Sequence, residues 1–131
     1  MERRTMRLAS GLAVAGAVVV TAACSDARLE KLSTGISRDS ALAVINEGAS
    51  GDSLARVYRQ ESYLLPNTQG NVLLTNVLIY DKKGRKEGTE PDAPASSMTP
   101  IVIIDGKVTG WGWTYYDSVA TANKIPVKPR T

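Results

Sequence analysis

Pro100–Tyr115 reads PIVIIDGKVTGWGWTY. Pro100–Ile104 is a short apolar run rich in β-branched side chains, which predicts a buried strand. Asp105-Gly106 predicts a two-residue hairpin turn, because both central positions of such a turn take positive φ. Lys107–Tyr115 is then the returning strand. Its alternation puts Trp111, Trp113 and Tyr115 on one face and Val108, Gly110, Gly112 and Thr114 on the other. Two glycines on one face predict a close neighbour there, with a helix as the expected one. The aromatic row opposite has two readings. It covers a second small core or the loop, or it is a surface for a protein partner, since Trp and Tyr concentrate in interface hot spots.

Outward from this hairpin the pattern stays β-rich. Asn71–Tyr80 (NVLLTNVLIY) is strongly apolar and reads as a central strand, broken by Asp81-Lys82-Lys83-Gly84. Leu54–Leu65 (LARVYRQESYLL) alternates roughly and reads as a strand with one polar face, joined to the central strand through the turn cluster Pro66–Gly70. Residues 85–98 have no apolar periodicity and read as a long mobile loop. Earlier still, Ser37 is a good N-cap, with Asp39 in the first turn where a carboxylate favours the helix dipole. Arg38–Glu47 follows as a helix with an apolar stripe of Ala41, Leu42, Val44 and Ile45, stopped by Gly48. Ser25–Leu32 reads as a helical turn or two, or as a simple tether. Asp117–Asn123 reads as one more helical turn, with Asp117 as its cap. The fold class expected is α+β: one or two N-terminal helices packed on one face of a small antiparallel sheet of three to four strands.

Composition bounds what such a domain does. The chain has 131 residues, no His and one Cys. That removes the commonest general base and metal ligand, an internal disulfide and any Cys-rich zinc site. The formal net charge is +3, and residues 1–23 carry +2 of it through Arg3, Arg4 and Arg7 against Glu2. The rest is nearly neutral, which gives no basic face for nucleic acid. Candidate nucleophiles have no base placed beside them, and Gly110-Trp111-Gly112 lacks the context of a phosphate loop. No catalytic residue, cofactor or metal is expected. The cluster Lys82, Lys83, Arg85 and Lys86 reads as a solvated loop, with contact to anionic head groups as the alternative.

The N-terminus speaks about location. Three arginines within residues 1–7 precede an uncharged run, Leu8–Ala23 (LASGLAVAGAVVVTAA). This is the basic and apolar pattern of an export signal, and it is slightly short of the ~20 residues that span a bilayer core. A retained transmembrane anchor is the competing reading. Thr21-Ala22-Ala23-Cys24 resembles the bacterial lipobox, with Thr21 where Leu is usual. The resemblance implies cleavage after Ala23 and lipid attachment at Cys24. Each buried lipid CH₂ contributes ~0.8 kcal/mol, so two or three acyl chains on one residue hold a small protein on a membrane. The expected organisation is a signal peptide at 1–23, lipidated Cys24 and tether over 24–35, the domain over 36–123, and a polar tail at 124–131.

A wider resemblance rests on two segments. Leu32-Ser33-Thr34-Gly35-Ile36-Ser37 opening a helix after a lipidated Cys resembles the small outer-membrane lipoproteins of the SmpA/OmlA (BamE) type, whose domain runs α-α-β-β-β. Thr99–Val108 followed by Gly110-Trp111-Gly112 resembles related proteobacterial lipoproteins ending in Thr-Pro-Leu-x-Phe-x-x-Gly-x-Leu-x-Gly-Trp-Gly. The helix-ending Leu-Gly-x-Pro of those families is Asn46-Glu47-Gly48-Ala49 here, and the long loop has no counterpart. The resemblance implies a non-enzymatic envelope role on the periplasmic face of the outer membrane, with membrane contact through the lipid on Cys24. Ser25 after the Cys agrees with that location. An assembly accessory that binds an envelope protein through Trp111, Trp113 and Tyr115 is the first functional expectation. A lipid-tethered ligand-binding or inhibitor-type module is the second.

Overall fold

A computed structural model describes residues 26–49, 51–88 and 94–127. A 3-10 turn at Leu29–Lys31 leads to helix α1 (Arg38–Ile45). Four strands follow, β1 (Val57–Pro66), β2 (Val72–Asp81), β3 (Met98–Ile104) and β4 (Lys107–Trp111), and helix α2 (Trp113–Asn123) closes the order. The strands form one antiparallel meander in the order β1-β2-β3-β4. This is the expected α+β class, with the two helices at opposite ends of the chain. It differs from the α-α-β-β-β order that the resemblance implies.

The sheet is covered on both faces, where one helical layer on one face was expected. On the first face, Ala41, Leu42 and Ile45 of α1 pack with Leu32, Val57, Leu78, Tyr80, Ile101, Ile103 and Val108. On the second, Tyr116 and Ala120 of α2 pack with Val77, Ile79, Met98, Val102 and Ile125. The cause lies in the central strands. Val77 to Tyr80 and Ile101 to Ile103 are buried without interruption. A strand that is apolar at successive positions needs cover on both sides.

Local chemistry explains the element ends. Ser37 Oγ accepts the Ser40 N–H at 3.1 Å and caps α1. The helix ends at Ile45, short of Glu47, and Asn46 becomes its C-cap. Arg56 Nη1 meets the carbonyls at and just beyond its end, donating to Ile45 O at 3.0 Å and Glu47 O at 2.8 Å. Asp105 (φ 53) and Gly106 (φ 79) form the expected hairpin turn.

Three boundaries move. Residues 24–35 were expected as tether, but from Asp26 onward the chain is tied into the domain. Leu32 is buried, and Gly35 N–H donates to Val108 O at 2.8 Å. The tail is docked at its start, since Ile125 is buried against α2 and its N–H donates to Ala120 O at 2.9 Å. The loop 85–98 is tied at both sides among its described residues. Arg85 donates to Asp81 and Ser97, a 3-10 turn spans Ala95–Ser97, and β3 already starts at Met98.

The largest correction concerns the returning strand. It ends at Trp111, and Gly112 (φ 98) turns the chain into α2. Tyr116 N–H then donates to Gly112 O at 2.9 Å, closing the first turn. Asp117 lies inside α2 and does not cap a helix.

Candidate functional site

The aromatic row does not form. A register shift falls between Val102 and Ile103 where β3 pairs with β4, leaving Thr109 as the extra residue. A bulge of one residue resets the alternation of everything after it. Val108 and Trp111 therefore share the α1 face, and the strand ends before Trp113. Trp111 is half-buried against the α1-side core. Trp113 and Tyr115 pack on the α2-side core. Trp113 Nε1 donates to Ala95 O and Met98 O, both at 3.0 Å, and its ring meets Tyr116 edge-on at 5.4 Å. The close neighbour predicted over the two glycines is present at Gly110 alone, and it is a ring, whereas nothing lies within 4 Å of a Cβ at Gly112. A Cβ on Gly110 would lie 2.7 Å from Tyr115. These three aromatics close the fold.

Bare apolar surface lies elsewhere. Leu64 (71% exposed), Val72 (61%) and Leu74 (50%) stand at the outer end of the β1–β2 hairpin. Leu64 opposes Leu74 and Pro66 opposes Val72, so these side chains share one face. Leu78, further along β2 with the same parity as Val72 and Leu74, belongs to the α1-side core and fixes which face this is. Two features leave it uncovered. Pairing of β2 with β3 begins only at Thr75, so the hairpin overshoots the rest of the sheet. Helix α1 begins at Arg38, whose Nη2 reaches Gln60 Oε1 at 2.6 Å, and runs the other way. The signal missed in the sequence was that Leu64, Val72 and Leu74 fall on the parity of Leu78 but beyond the length of an eight-residue helix.

The opposite end of the sheet is polar and cross-tied. Tyr80 Oη donates to Asp26 Oδ2 at 2.5 Å and accepts from Arg28 Nη1 at 3.2 Å. Arg28 N–H donates to Asp26 Oδ1 at 2.9 Å. Burial pushes the Asp26 carboxyl up, but the hydrogen bonds from Tyr80 and the Arg28 backbone, with the charges of Arg28 and Lys82, bring it below the usual aspartate value. Burial, then the Asp26 bond, push Tyr80 up to about 12 against the pull of Arg28. Nearby, the fully buried Asp81 carboxylate accepts from Arg85 Nε at 2.6 Å and from the Lys83 N–H at 3.1 Å. Lys86 Nζ donates to Leu54 O and to Val57 O. The basic cluster is thus divided: Arg85 and Lys86 turn inward as structure, while Lys82 and Lys83 are exposed.

A third polar group sits under α2. Glu61 is buried and accepts from Arg59 Nε (3.0 Å), Tyr63 Oη (2.8 Å) and Tyr116 Oη (3.0 Å). Burial and the bond to Glu61 push the Tyr63 phenol well above its ordinary value. Three donors on one carboxylate tie β1 to α2, which is a structural arrangement. Among the described residues no group of three His, Cys, Asp or Glu is placed to hold a metal ion, and no helix is long and apolar enough to cross a membrane. Ala23 and Cys24, the expected cleavage and lipidation positions, lie outside the described residues. Comparison with protein-family models, curated proteins and solved structures finds no match to this chain.

Proposed function

We propose that the protein is a lipid-anchored, non-enzymatic envelope lipoprotein that serves as a structural or assembly accessory and binds a protein partner. The observation that carries this reading is Thr21-Ala22-Ala23-Cys24 at the end of a basic and then apolar N-terminal run. Two features of the fold support it. Asp26, two positions after the residue that would carry lipid, is already tied into the domain through Tyr80, so a lipid at Cys24 would hold the domain close to the membrane. The carboxylates buried in the domain are each spent on structural donors, as Glu61 and Asp81 show, so they favour a binding role over acid–base chemistry. The bare hairpin face of Leu64, Val72 and Leu74 supports partner binding better than Trp111, Trp113 and Tyr115, whose rings the domain uses itself.

Intact mass of the protein extracted from membranes tests the reading. The expected mass is that of a chain starting at Cys24 with acyl chains attached. Cys24→Ala should leave the domain folded and release it from the membrane fraction. An unmodified thiol with residues 1–23 retained would sink the proposal and favour a transmembrane anchor.

A further inference from the structure

If Cys24 carries lipid, the domain has almost no slack. One residue, Ser25, separates Asp26 from Cys24, and a fully extended chain covers ~7 Å over those two steps. Asp26 is itself fixed. Its carboxylate is held by Tyr80 and by the Arg28 backbone, and its carbonyl accepts the Leu29 N–H at 2.9 Å and the Glu30 N–H at 3.3 Å. The sheet therefore leaves its β2–β3 turn end beside the anchor. The β2–β3 connection opens there with a turn over Asp81 to Gly84, closed by Gly84 N–H on Asp81 O at 2.9 Å. Its two exposed side chains are Lys82 and Lys83. Among the described residues neither ammonium makes a hydrogen bond or an ion pair, and Lys82 is close enough to Asp26 to act on its carboxylate. Arg85, by contrast, is spent on Asp81, and Lys31 on Glu47 at 2.7 Å.

We propose that this end of the domain rests on the bilayer surface, with the Lys82 and Lys83 ammonium groups on phospholipid phosphates, and that the β1–β2 hairpin points away from the membrane. The occupant of the surface is lipid, set by the short distance in sequence from Asp26 to Cys24 and by the charge of the turn. This rests on the lipid-anchor reading above. From Tyr80 to Val72 the strand rises about 26 Å, at ~3.3 Å per residue. The apolar face of Leu64, Val72 and Leu74 is then held well clear of the head groups, where a partner standing off the membrane meets it.

The test uses the processed, membrane-extracted protein, isotope-labelled and reconstituted in phospholipid nanodiscs doped with a lipid bearing a nitroxide on its head group. Backbone amide signals of residues 82–84 should lose more than about half their intensity, while those of 67–71 keep theirs, because the label acts over a limited range from the surface. Equal broadening at both ends, or preferential broadening of the hairpin, overturns the proposed orientation while leaving the anchor intact. Intact mass of the same sample separates the two readings, since a chain without acyl groups overturns the anchor and the orientation together. The double variant K82E/K83E should stay in the disc but lose about twofold of the broadening at residue 84 as like charge is pushed off the surface. Unchanged broadening in that variant would remove the lysines from the contact.

Discussion

The two ends of the sheet are built on opposite terms. At the β2–β3 turn end, segments distant in sequence are tied by polar side chains: Asp26 and Arg28 to Tyr80, Arg56 to the carbonyls of α1, Lys86 to the carbonyls of Leu54 and Val57. At the hairpin end, β1 and β2 run past their neighbours and hold themselves up by their own ladder. There Asn67 accepts the N–H groups of Gln69 and Asn71 at 2.9 Å, and little else is fastened. The difference teaches where the fold invests its long-range contacts. Polar side chains tie distant segments together around Asp26 and Tyr80, and apolar surface is left bare at the tip of the β1–β2 hairpin.

The sharpest way to break this comparison lies on one face of one strand. Leu78 is fully buried and Leu74 is 50% exposed. Leu78→Ala removes packing from the α1-side core and should cost about 3–4 kcal/mol in urea denaturation. Leu74→Ala should change stability by less than ~0.5 kcal/mol. Similar losses at the two positions would mean that the hairpin face is covered in solution.

The next effect tests the tied end. Asp81→Ala leaves the largely buried Arg85 guanidinium without its carboxylate and should cost about 3 kcal/mol. The same carboxylate shapes the acid limb. Burial alone would raise Asp81, but Arg85 and the Lys83 and Arg85 amides hold it below its ordinary 3.8. A depressed folded value contributes stability above the unfolded value and loses it as pH falls through the folded one. Asp26 is shifted in the same direction. Wild-type stability should therefore hold above about pH 5 and fall steeply below pH 4. Asp81→Ala should flatten that fall, and an unchanged acid limb would show that the pair is not formed.

A smaller effect probes how the second helix meets the sheet. Gly110→Ala places a methyl group 2.7 Å from the Tyr115 ring and forces α2 or its ring to shift. The expected loss is about 2 kcal/mol, with altered near-ultraviolet circular dichroism from the aromatic cluster. Tyr115→Ala in the same background should recover part of it, because the clash then has no partner. Failure of that rescue would put the strain in the backbone.

This region also shows how far the sequence is readable. Asp105-Gly106, Ser37 before α1 and the apolar run of β2 are local signals, and each lies where its pattern demands. Trp113 to Tyr116 misled because Trp, Thr and Tyr are β-favouring residues, and α2 forms from them only because Tyr116 and Ala120 find Val77, Ile79 and Val102 to cover. The cue was available: an uninterrupted apolar β2 requires a second covering layer, and the C-terminal segment was the one left to supply it. The bulge at Thr109, a single residue with no sequence mark, then undid the aromatic row. The bond between Asp26 and Tyr80 spans a sequence separation of 54 and carries no local signature. The division of the basic cluster was equally illegible, since only tertiary structure shows that Arg85 has Asp81 and Ser97 beside it while Lys82 and Lys83 face outward.

The smallest effect isolates that long-range bond. Tyr80→Phe keeps the buried ring and removes only the hydroxyl between Asp26 and Arg28, so the expected loss is about 1 kcal/mol. Its location matters more than its size. Amide exchange at Leu29 and Glu30, whose N–H groups bond to the Asp26 carbonyl, should accelerate, while Gly70 at the hairpin is unmoved. The alkaline limb gives a second reading. Tyr80 is raised from 10.0 to about 12, so its contribution is complete below pH 10 and is lost as pH climbs through 12. Tyr63 is raised in the same sense by burial and Glu61, so Tyr80→Phe should lessen the alkaline loss without abolishing it. If exchange instead quickened at both ends together, the hydroxyl would be supporting the whole sheet, and the two ends would form one cooperative unit despite their different construction.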